Sequence, residues 1–224
     1  MAMKAAPARQ PLSRDGILAA AIDLADAEGV SALSMRNLAR RLGFEVMALY
    51  NHIANKNDLL YQMADAVAAE IEEPSVDLAP IEAVRAIALA TRGAFVKHLW
   101  ASDLWLKHPP GPGRSTQMEF LLRTLHKSGL SDELAHHGFH AVNNHVAGYT
   151  LQEQGMTLGK DAETAEDQIH EYLATLSGGG FPYTEAHVHQ HLNGETTSSF
   201  ELVLDLILDG LVRLNDGYTQ NLLP

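Results

Sequence analysis

The sequence predicts an all-α protein with a small N-terminal head and a larger helical body. Apolar residues recur at i, i+3/4 and i+7 along most of the chain, and this is the period of amphipathic helices. Alternating runs of β-branched residues, which would indicate strands, are few. Glycines and small polar residues divide the head into short helical pieces, whereas longer helical patterns follow residue 80.

Three short helices are predicted in the head, each bounded by small residues. Serine favours the N-cap position, and glycine favours the position just after a helix C-terminus. The N-caps are Ser13 and Ser34, and the stops are Gly29 and Gly43. The predicted helices cover residues 14–28, 35–42 and 46–52.

A fourth helix and several longer ones are predicted after the head. Asn55 can cap the fourth helix, over residues 57–72, and Pro74 and Pro80 then interrupt the chain. The stretches "HPPGPGRS" and "LSGGGFPYTEAHVHQHLNGETTS" are predicted to be loops, because glycine and proline concentrate there. The further predicted helices cover residues 81–99, 116–127, 132–153, 162–176 and 199–214.

Composition narrows the class of protein. The chain has 224 residues and no cysteine, which excludes disulfides and thiolate metal sites and fits a reducing compartment. No apolar run approaches the roughly 18 residues of a membrane span, and the first eleven residues lack the apolar core of a signal peptide. We therefore expect a cytoplasmic protein with no membrane partner.

Charge is distributed unevenly along the chain. Residues 1–56 carry seven basic and five acidic side chains, whereas the remaining residues carry nine basic and 23 acidic ones. A mildly basic head on an acidic body suggests that only the head approaches a polyanion. Chance clustering in an ordinary soluble protein explains the same asymmetry equally well.

The second and third predicted helices have the sequence pattern of a helix-turn-helix unit. They are short, they are joined by "LGFE", and each has one apolar face. Leu38, Leu42 and Leu49 can pin the two helices together, which leaves the intervening positions of the third helix facing outward. A protruding helix of this kind fits the major groove of DNA and can contact base edges there.

Three spaced motifs make the head resemble the DNA-binding domain of the tetracycline-repressor (TetR) family. They are A-x-x-L-x-x-x-x-G in the first helix, L-x-x-x-x-L-A-x-x-L-G through the second, and L-Y-x-H-[apolar]-x-x-K-x-x-L-L after it. The match covers about residues 12–62, and the body is similar to the family's ligand domain. The resemblance implies a flexible arm (1–11), a helix-turn-helix DNA-binding domain (12–56) and a helical effector-binding and dimerisation domain (57–224).

The resemblance also implies which residues contact double-stranded operator DNA. Ser34, Tyr50, His52 and Lys56 occupy positions where family members contact phosphates, and all four can donate hydrogen bonds to phosphate oxygen. Arg36 occupies a position from which family members reach a base, and arginine pairs well with guanine. In the arm, Lys4 and Arg9 can reach a minor groove, although disorder is the favoured interpretation.

The predicted third helix offers mostly apolar side chains to the groove. Val46, Met47 and Ala48 cannot hydrogen-bond to bases through their side chains, so we predict contacts with thymine methyl groups. Glu45 can accept a hydrogen bond from cytosine N4, or it can simply cap the helix. The DNA-contact set is Ser34, Arg36, Glu45, Val46, Met47, Ala48, Tyr50, His52 and Lys56.

The body contains two histidine clusters but no catalytic motif. His136 and His140 can share a helix face, and with His145 they could suggest a metal site; "HVHQH" follows at 187–191. No carboxylate stands at a firm ligand spacing beside them, so we predict no metal and no cofactor. The chain also lacks a G-x-S-x-G elbow and an H-E-x-x-H motif, and we predict that it is not an enzyme.

A pocket for an unknown small-molecule effector is expected in the body, because such pockets are mostly apolar, with a few polar groups between helices. Ordinary core packing is at least as good an interpretation for each candidate, and also for Trp100. The candidates are Trp105, His108, Gln117, Phe120, Leu121, Asn143, Asn144 and Tyr149.

The functional hypothesis is a dimeric, ligand-responsive transcriptional repressor. The last predicted helix is apolar around more than half its circumference, so it is either deeply buried or faces a partner chain. Together with residues 132–153 it would form the homodimer interface, and a twofold dimer suits a palindromic operator. The alternative is a helical small-molecule-binding protein or an enzyme whose head is only structural.

Overall fold

The structure is a computed structural model that describes residues 11–157, 162–177, 179–192 and 199–221. The predicted arm, with Lys4 and Arg9, lies outside the described residues, as does the side chain of His191. Every regular element within the described ranges is helical, which confirms the all-α prediction. The helices are α1 (Arg14–Glu28), α2 (Met35–Leu42), α3 (Val46–Tyr50), α4 (Lys56–Ala69), α5 (Pro80–Lys97), α6 (Ala101–Lys107), α7 (Pro112–Lys127), α8 (Asp132–Thr157), α9 (Ala162–Leu176), α10 (Pro182–Leu192) and α11 (Ser199–Asn221), with a short 3₁₀ turn at Val30–Ala32.

The chain forms two compact units. The first contains the described residues up to Glu70 together with Lys97–Thr116, and the second contains Ile71–Val96 and the described residues from Gln117 onward. The first unit therefore combines α1–α4 with α6 and the start of α7. In the described part of the chain, no helix is both long enough and apolar enough to cross a membrane.

Local capping explains where the first helices begin. The side-chain oxygens of Ser13, Ser34 and Asn55 accept hydrogen bonds from the third backbone N–H that follows, at 3.1, 3.1 and 2.9 Å. Each bond satisfies a donor that has no partner within its own helix. Gly29 and Gly43 follow α1 and α2 with positive φ, as the glycine stops predicted.

The core of the first unit fixes α3 through one face only. Leu38 of α2 and Leu49 of α3 are fully buried, together with Ile17, Ile53 and Leu59. Burial of a leucine side chain contributes about 2 kcal/mol, so a five-residue helix can be held by its neighbours although it is too short to be stable alone.

Three segments differ from the sequence prediction. Residues 101–107 form α6, where no helix was predicted. Residues 182–192 form α10 instead of a loop, and α7 begins at Pro112 instead of residue 116. In both places a proline occupies the first helical position, where the missing N–H is not needed. The prediction treated these prolines as breaks, whereas here they begin helices.

The second unit is built around a long pair of helices. α8 and α11 pack against each other, and a Cβ on Gly138 of α8 would lie 3.0 Å from Leu211 Cδ1 of α11. Arg85 of α5 is paired with Asp205 and Glu201 at 2.7 and 2.6 Å. These ion pairs link α5 to α11.

Candidate DNA-contacting surface

The α3 helix divides cleanly into an anchored side and an open side. Leu49 is 0% exposed, whereas Met47 is 71% exposed and Val46 and Ala48 are half-buried. An exposed methionine on so short a helix is not covered by anything within its own unit. The open side of α3 is therefore an apolar surface at the predicted position.

Glu45 occupies the N-cap position of α3, but its side chain makes no capping hydrogen bond. The alternative that Glu45 simply caps the helix is therefore not supported by a side-chain contact. The exposed carboxylate beside Val46 remains available to an outside donor.

Polar groups surround this apolar surface along the chain. Tyr50, His52 and Lys56 are exposed at the end of α3 and the start of α4. Ser34 uses its hydroxyl oxygen to accept the Asn37 N–H, which leaves the hydroxyl proton to be donated elsewhere.

Arginines of α2 differ in how they are held. Arg40 donates to Asn37 at 3.1 Å, and Arg41 lies 3.8 Å from Glu28. Arg36 is exposed and makes no such side-chain contact among the described residues. It is therefore the α2 guanidinium best able to bind a new acceptor.

A contact between α4 and the start of α7, here called the joint, was not predicted from the sequence. The Asp65 carboxylate of α4 accepts the backbone N–H groups of Gly113 and Arg114 at 2.9 Å each. The buried Arg114 side chain donates to the carbonyls of Trp105 and His108, both at 2.7 Å. Asp65 of α4 thus caps the start of α7, and the Arg114 side chain binds carbonyls at the end of α6.

Glycine is required at position 113 because the backbones of α4 and α7 approach closely there. A Cβ on Gly113 would lie 2.4 Å from the Asp65 backbone oxygen, and a Cβ on Gly111 would lie 2.7 Å from the Asp65 carboxylate. The sequence analysis predicted a loop at "HPPGPGRS" and did not predict this contact.

The effector candidates of the first unit are engaged in the same joint. The Trp105 ring is buried beneath the Arg114 guanidinium, 4.7 Å from its centroid, and the His108 carbonyl accepts from Arg114. Both residues have structural contacts, and their role toward an effector stays a prediction.

The effector candidates of the second unit are spread over α7 and α8. Gln117 donates its Nε2 to the Ile71 carbonyl at 2.9 Å, while its buried Oε1 receives no hydrogen bond from the described residues. Phe120 lines an open cleft of about 330 Å³ beside residues 73–80, and Leu121 is buried. The structure leaves the effector assignment of these three residues as a prediction.

The α8 candidates have separate surroundings. The Tyr149 hydroxyl lies 2.7 Å from Ser199 Oγ, and its ring packs edge-on against Phe200. Asn143 is half-buried, and Asn144 is exposed. The effector role of these residues also stays a prediction.

The histidine clusters do not assemble into a metal centre where the chain is described. His136 and His140 lie on an exposed face of α8 with ring centroids 4.7 Å apart. His145 instead stacks on Phe200 and points its Nε2 to the Phe200 carbonyl. Within the described ranges, no group of three or more histidine, aspartate or glutamate side chains could hold a metal ion.

Two family models match the chain and together cover most of it. The model described as "Bacterial regulatory proteins, tetR family" matches residues 17–63, and "Tetracyclin repressor-like, C-terminal domain" matches residues 79–214. The first match contains α2 and α3, and the second contains α8 and most of α11.

Known proteins are similar along nearly the whole chain. The transcriptional repressor DrrR1 of Streptomyces coeruleorubidus is 31% identical over 92% of this chain and 80% of its own length. ActR of Streptomyces coelicolor, solved with (S)-DNPA, has a TM-score of 0.76 and 30% identity over 92% of this chain and all of that chain. BioQ, solved with its operator duplex, has a TM-score of 0.65 and 25% identity over 90% of this chain and 98% of that chain.

Proposed function

The chain belongs to the tetR family of bacterial regulatory proteins and is a ligand-responsive, DNA-binding transcriptional repressor, not an enzyme; from this premise we propose which residues carry its function. The observation that carries the proposal is the open side of α3, where Met47 is exposed opposite the buried Leu49. This side enters the major groove of the operator, and the exposed polar residues around it bind the backbone.

Phosphate binding is assigned to four residues that can donate hydrogen bonds. Tyr50, His52 and Lys56 are exposed, and Ser34 retains its hydroxyl proton. Phosphate contacts set the register of a protein on the duplex but carry no base specificity. These residues therefore orient α3 over its half-site.

Base recognition is assigned to the remaining DNA-contact residues. Met47, Val46 and Ala48 contact thymine methyl groups, which are the only apolar groups on base edges in the major groove. Arg36 pairs with guanine, because no acceptor within the described residues holds its guanidinium. Glu45 accepts from cytosine N4, because its carboxylate is not used as a cap.

A homodimer through the C-terminal helices is the proposed assembly. Along α11, Leu202, Leu206 and Leu214 are 63%, 57% and 55% exposed, with Gly210 between the last two. A Cβ at Gly210 or at Gly148 of α8 would meet nothing within 4 Å. Exposed leucines, together with glycines that have free space beside them, allow the helices of a second copy to pack closely against α8 and α11.

The effector is proposed to bind in the helical body and to change operator affinity. Gln117 is the best-supported contact, because its buried Oε1 can accept a hydrogen bond from a ligand. The remaining candidates are Trp105, His108, Phe120, Leu121, Asn143, Asn144 and Tyr149. Since ActR structures contain (S)-DNPA and actinorhodin, these two compounds are the first to test.

The proposal places the protein in the cytoplasm, where it can reach chromosomal DNA, and a binding selection tests it. The full-length protein is mixed with a pool of random duplexes at moderate salt, and the retained sequences are footprinted. We expect a palindrome with half-sites about one helical turn or a multiple of it apart. Retention of duplexes without any shared sequence would contradict the proposal.

A further inference from the structure

A buried histidine of the first unit lies between two carboxylates. His98 is 3% exposed, in the turn between α5 and α6. Its Nδ1 lies 2.9 Å from Asp26 Oδ2 and 3.0 Å from Asp26 Oδ1, and its Nε2 lies 3.3 Å from Glu70 Oε2. Asp26 belongs to the last turn of α1, and Glu70 follows the end of α4.

Hydrogen-bonding chemistry decides which form of the ring fits these contacts. A neutral imidazole has one N–H donor and one acceptor nitrogen, whereas an imidazolium has two donors. Because both ring nitrogens of His98 face carboxylate oxygens, a singly protonated ring would place an acceptor against one carboxylate. Only the doubly protonated ring donates to both.

The two carboxylates are held by further donors. Trp100 Nε1 donates to Asp26 Oδ1 at 2.7 Å, and Lys97 Nζ donates to Glu70 Oε2 at 2.6 Å. Burial raises the pKa of Glu70, but the hydrogen bonds from Lys97 and His98 outweigh it, so the pKa is lowered overall. Glu70 is therefore a carboxylate at neutral pH. The charged groups around His98 are Asp26 of α1, Glu70 at the end of α4 and Lys97 of α5.

We propose that His98 is a proton-dependent positioning residue, which ties α1 to α4 when its ring carries two protons and thereby makes operator binding respond to pH. The inference rests on the proposed function, because it assigns regulation to the same DNA-binding unit. When the ring loses its second proton, the Nε2–Glu70 contact becomes a contact between two acceptors. The hydrogen-bonded link from Glu70 through His98 to Asp26 of α1 is then broken.

The protonation state of the His98 ring is tested first by NMR, in the absence of DNA. In protein labelled with ¹⁵N-histidine, the His98 ring signals are identified as those absent from His98→Gln. We expect both ring nitrogens of His98 to carry a proton at about pH 5.5 and only one of them at about pH 8, because the contact between Nε2 and Glu70 depends on the second proton. A ring with a single proton at both pH values, or with two protons at both, would overturn the proposal.

The regulation is tested by measuring dissociation constants for the selected operator at the same two pH values. We expect the ratio of the two constants to differ from the wild-type ratio by about threefold or more in His98→Gln, from the loss of one charge-assisted hydrogen bond. The phosphate-contact candidate His52 is unchanged in both proteins, so its contribution to the ratio is the same in each. His189→Gln, which changes an exposed histidine of α10, is the matched control and should keep the wild-type ratio.

The Glu70→Gln variant distinguishes an effect of the second proton on His98 from an effect of side-chain packing alone. Its side-chain amide can donate to an unprotonated Nε2, so the contact with His98 no longer needs the second proton. We expect the ratio of the dissociation constants at the two pH values to depart from the wild-type ratio in Glu70→Gln as it does in His98→Gln, although Glu70→Gln keeps the histidine. A wild-type ratio in both variants would overturn the proposal. Failure of the wild-type protein to select any operator would instead refute the proposed function, and the NMR result would still report the proton on His98.

Discussion

In the proposed complex with DNA, single side chains around α3 divide into those that set the position of the protein on DNA and those that distinguish bases. Lys56 stands at the start of α4 with its ammonium exposed, and Met47 stands on the open side of α3. An ammonium attracts any phosphate, whereas a thioether side chain distinguishes only the apolar part of a base. Substitutions of the two residues should therefore change DNA binding in different ways.

Lys56→Ala should weaken binding to operator and unrelated duplexes alike. Removal of one phosphate contact should also reduce the slope of log affinity against log salt by about one. The measurement is fluorescence anisotropy at several salt concentrations, with Lys127→Ala of the second unit as the control. A change in the preferred sequence would show that Lys56 contacts a base instead.

Met47 should account for a preference for thymine methyl groups. Replacing a single operator thymine with deoxyuridine removes one methyl group. At the contacted position this should weaken wild-type binding about fourfold, which corresponds to about 0.8 kcal/mol for one buried carbon group. In Met47→Ala, the same replacement should have little effect. If both proteins respond equally at every position, the methyl contacts belong to other residues.

At the scale of elements, the joint between α4 and α7 is the most demanding contact of the first unit. Gly113→Ala should destabilise the protein, because its Cβ would lie 2.4 Å from the Asp65 backbone oxygen and would force α7 away from α4. Gly93→Ala is the matched control, since Gly93 is also helical and a Cβ there meets nothing within 4 Å. That control should be stabilised by up to about 1 kcal/mol. Urea unfolding measures both, and equal stability of the two variants would contradict the close approach.

Elements also show how far the sequence alone could predict this structure. The starts of α1, α2 and α4 follow from hydrogen bonds that span three residues, so local sequence was sufficient. The prediction of a loop at the position of α10 was wrong, because a proline after glycines indicates a break as readily as a first helical residue. Local patterns therefore decide helix starts only where one capping geometry dominates.

The contacts that no local pattern could reveal are those between distant residues. His98 meets carboxylates 72 and 28 positions away, and Asp65 caps a helix that starts 47 residues later. A lone histidine or aspartate has the same appearance in the sequence whether it is exposed or enclosed. The residues of α3 were predictable because their exposure follows from the helical period, whereas the surroundings of the effector candidates depend on tertiary packing.

For the whole molecule, the property to test is the proposed homodimer, because a palindromic operator would be bound by two copies of α3. Leu206→Glu introduces a charge into the exposed apolar stripe of α11 and should leave the fold of one chain intact, since this side chain is 57% exposed. We expect sedimentation to show a species near the monomer mass of 24.4 kDa and operator affinity to fall by at least about tenfold.

Val76→Glu provides the control for the assembly prediction. Val76 is 98% exposed in the segment between α4 and α5, so the substitution adds the same charge without touching α11. This variant should sediment like the wild type and bind the operator normally. A dimeric Leu206→Glu protein would place the interface elsewhere. A monomer with unchanged operator affinity would mean that each α3 acts alone.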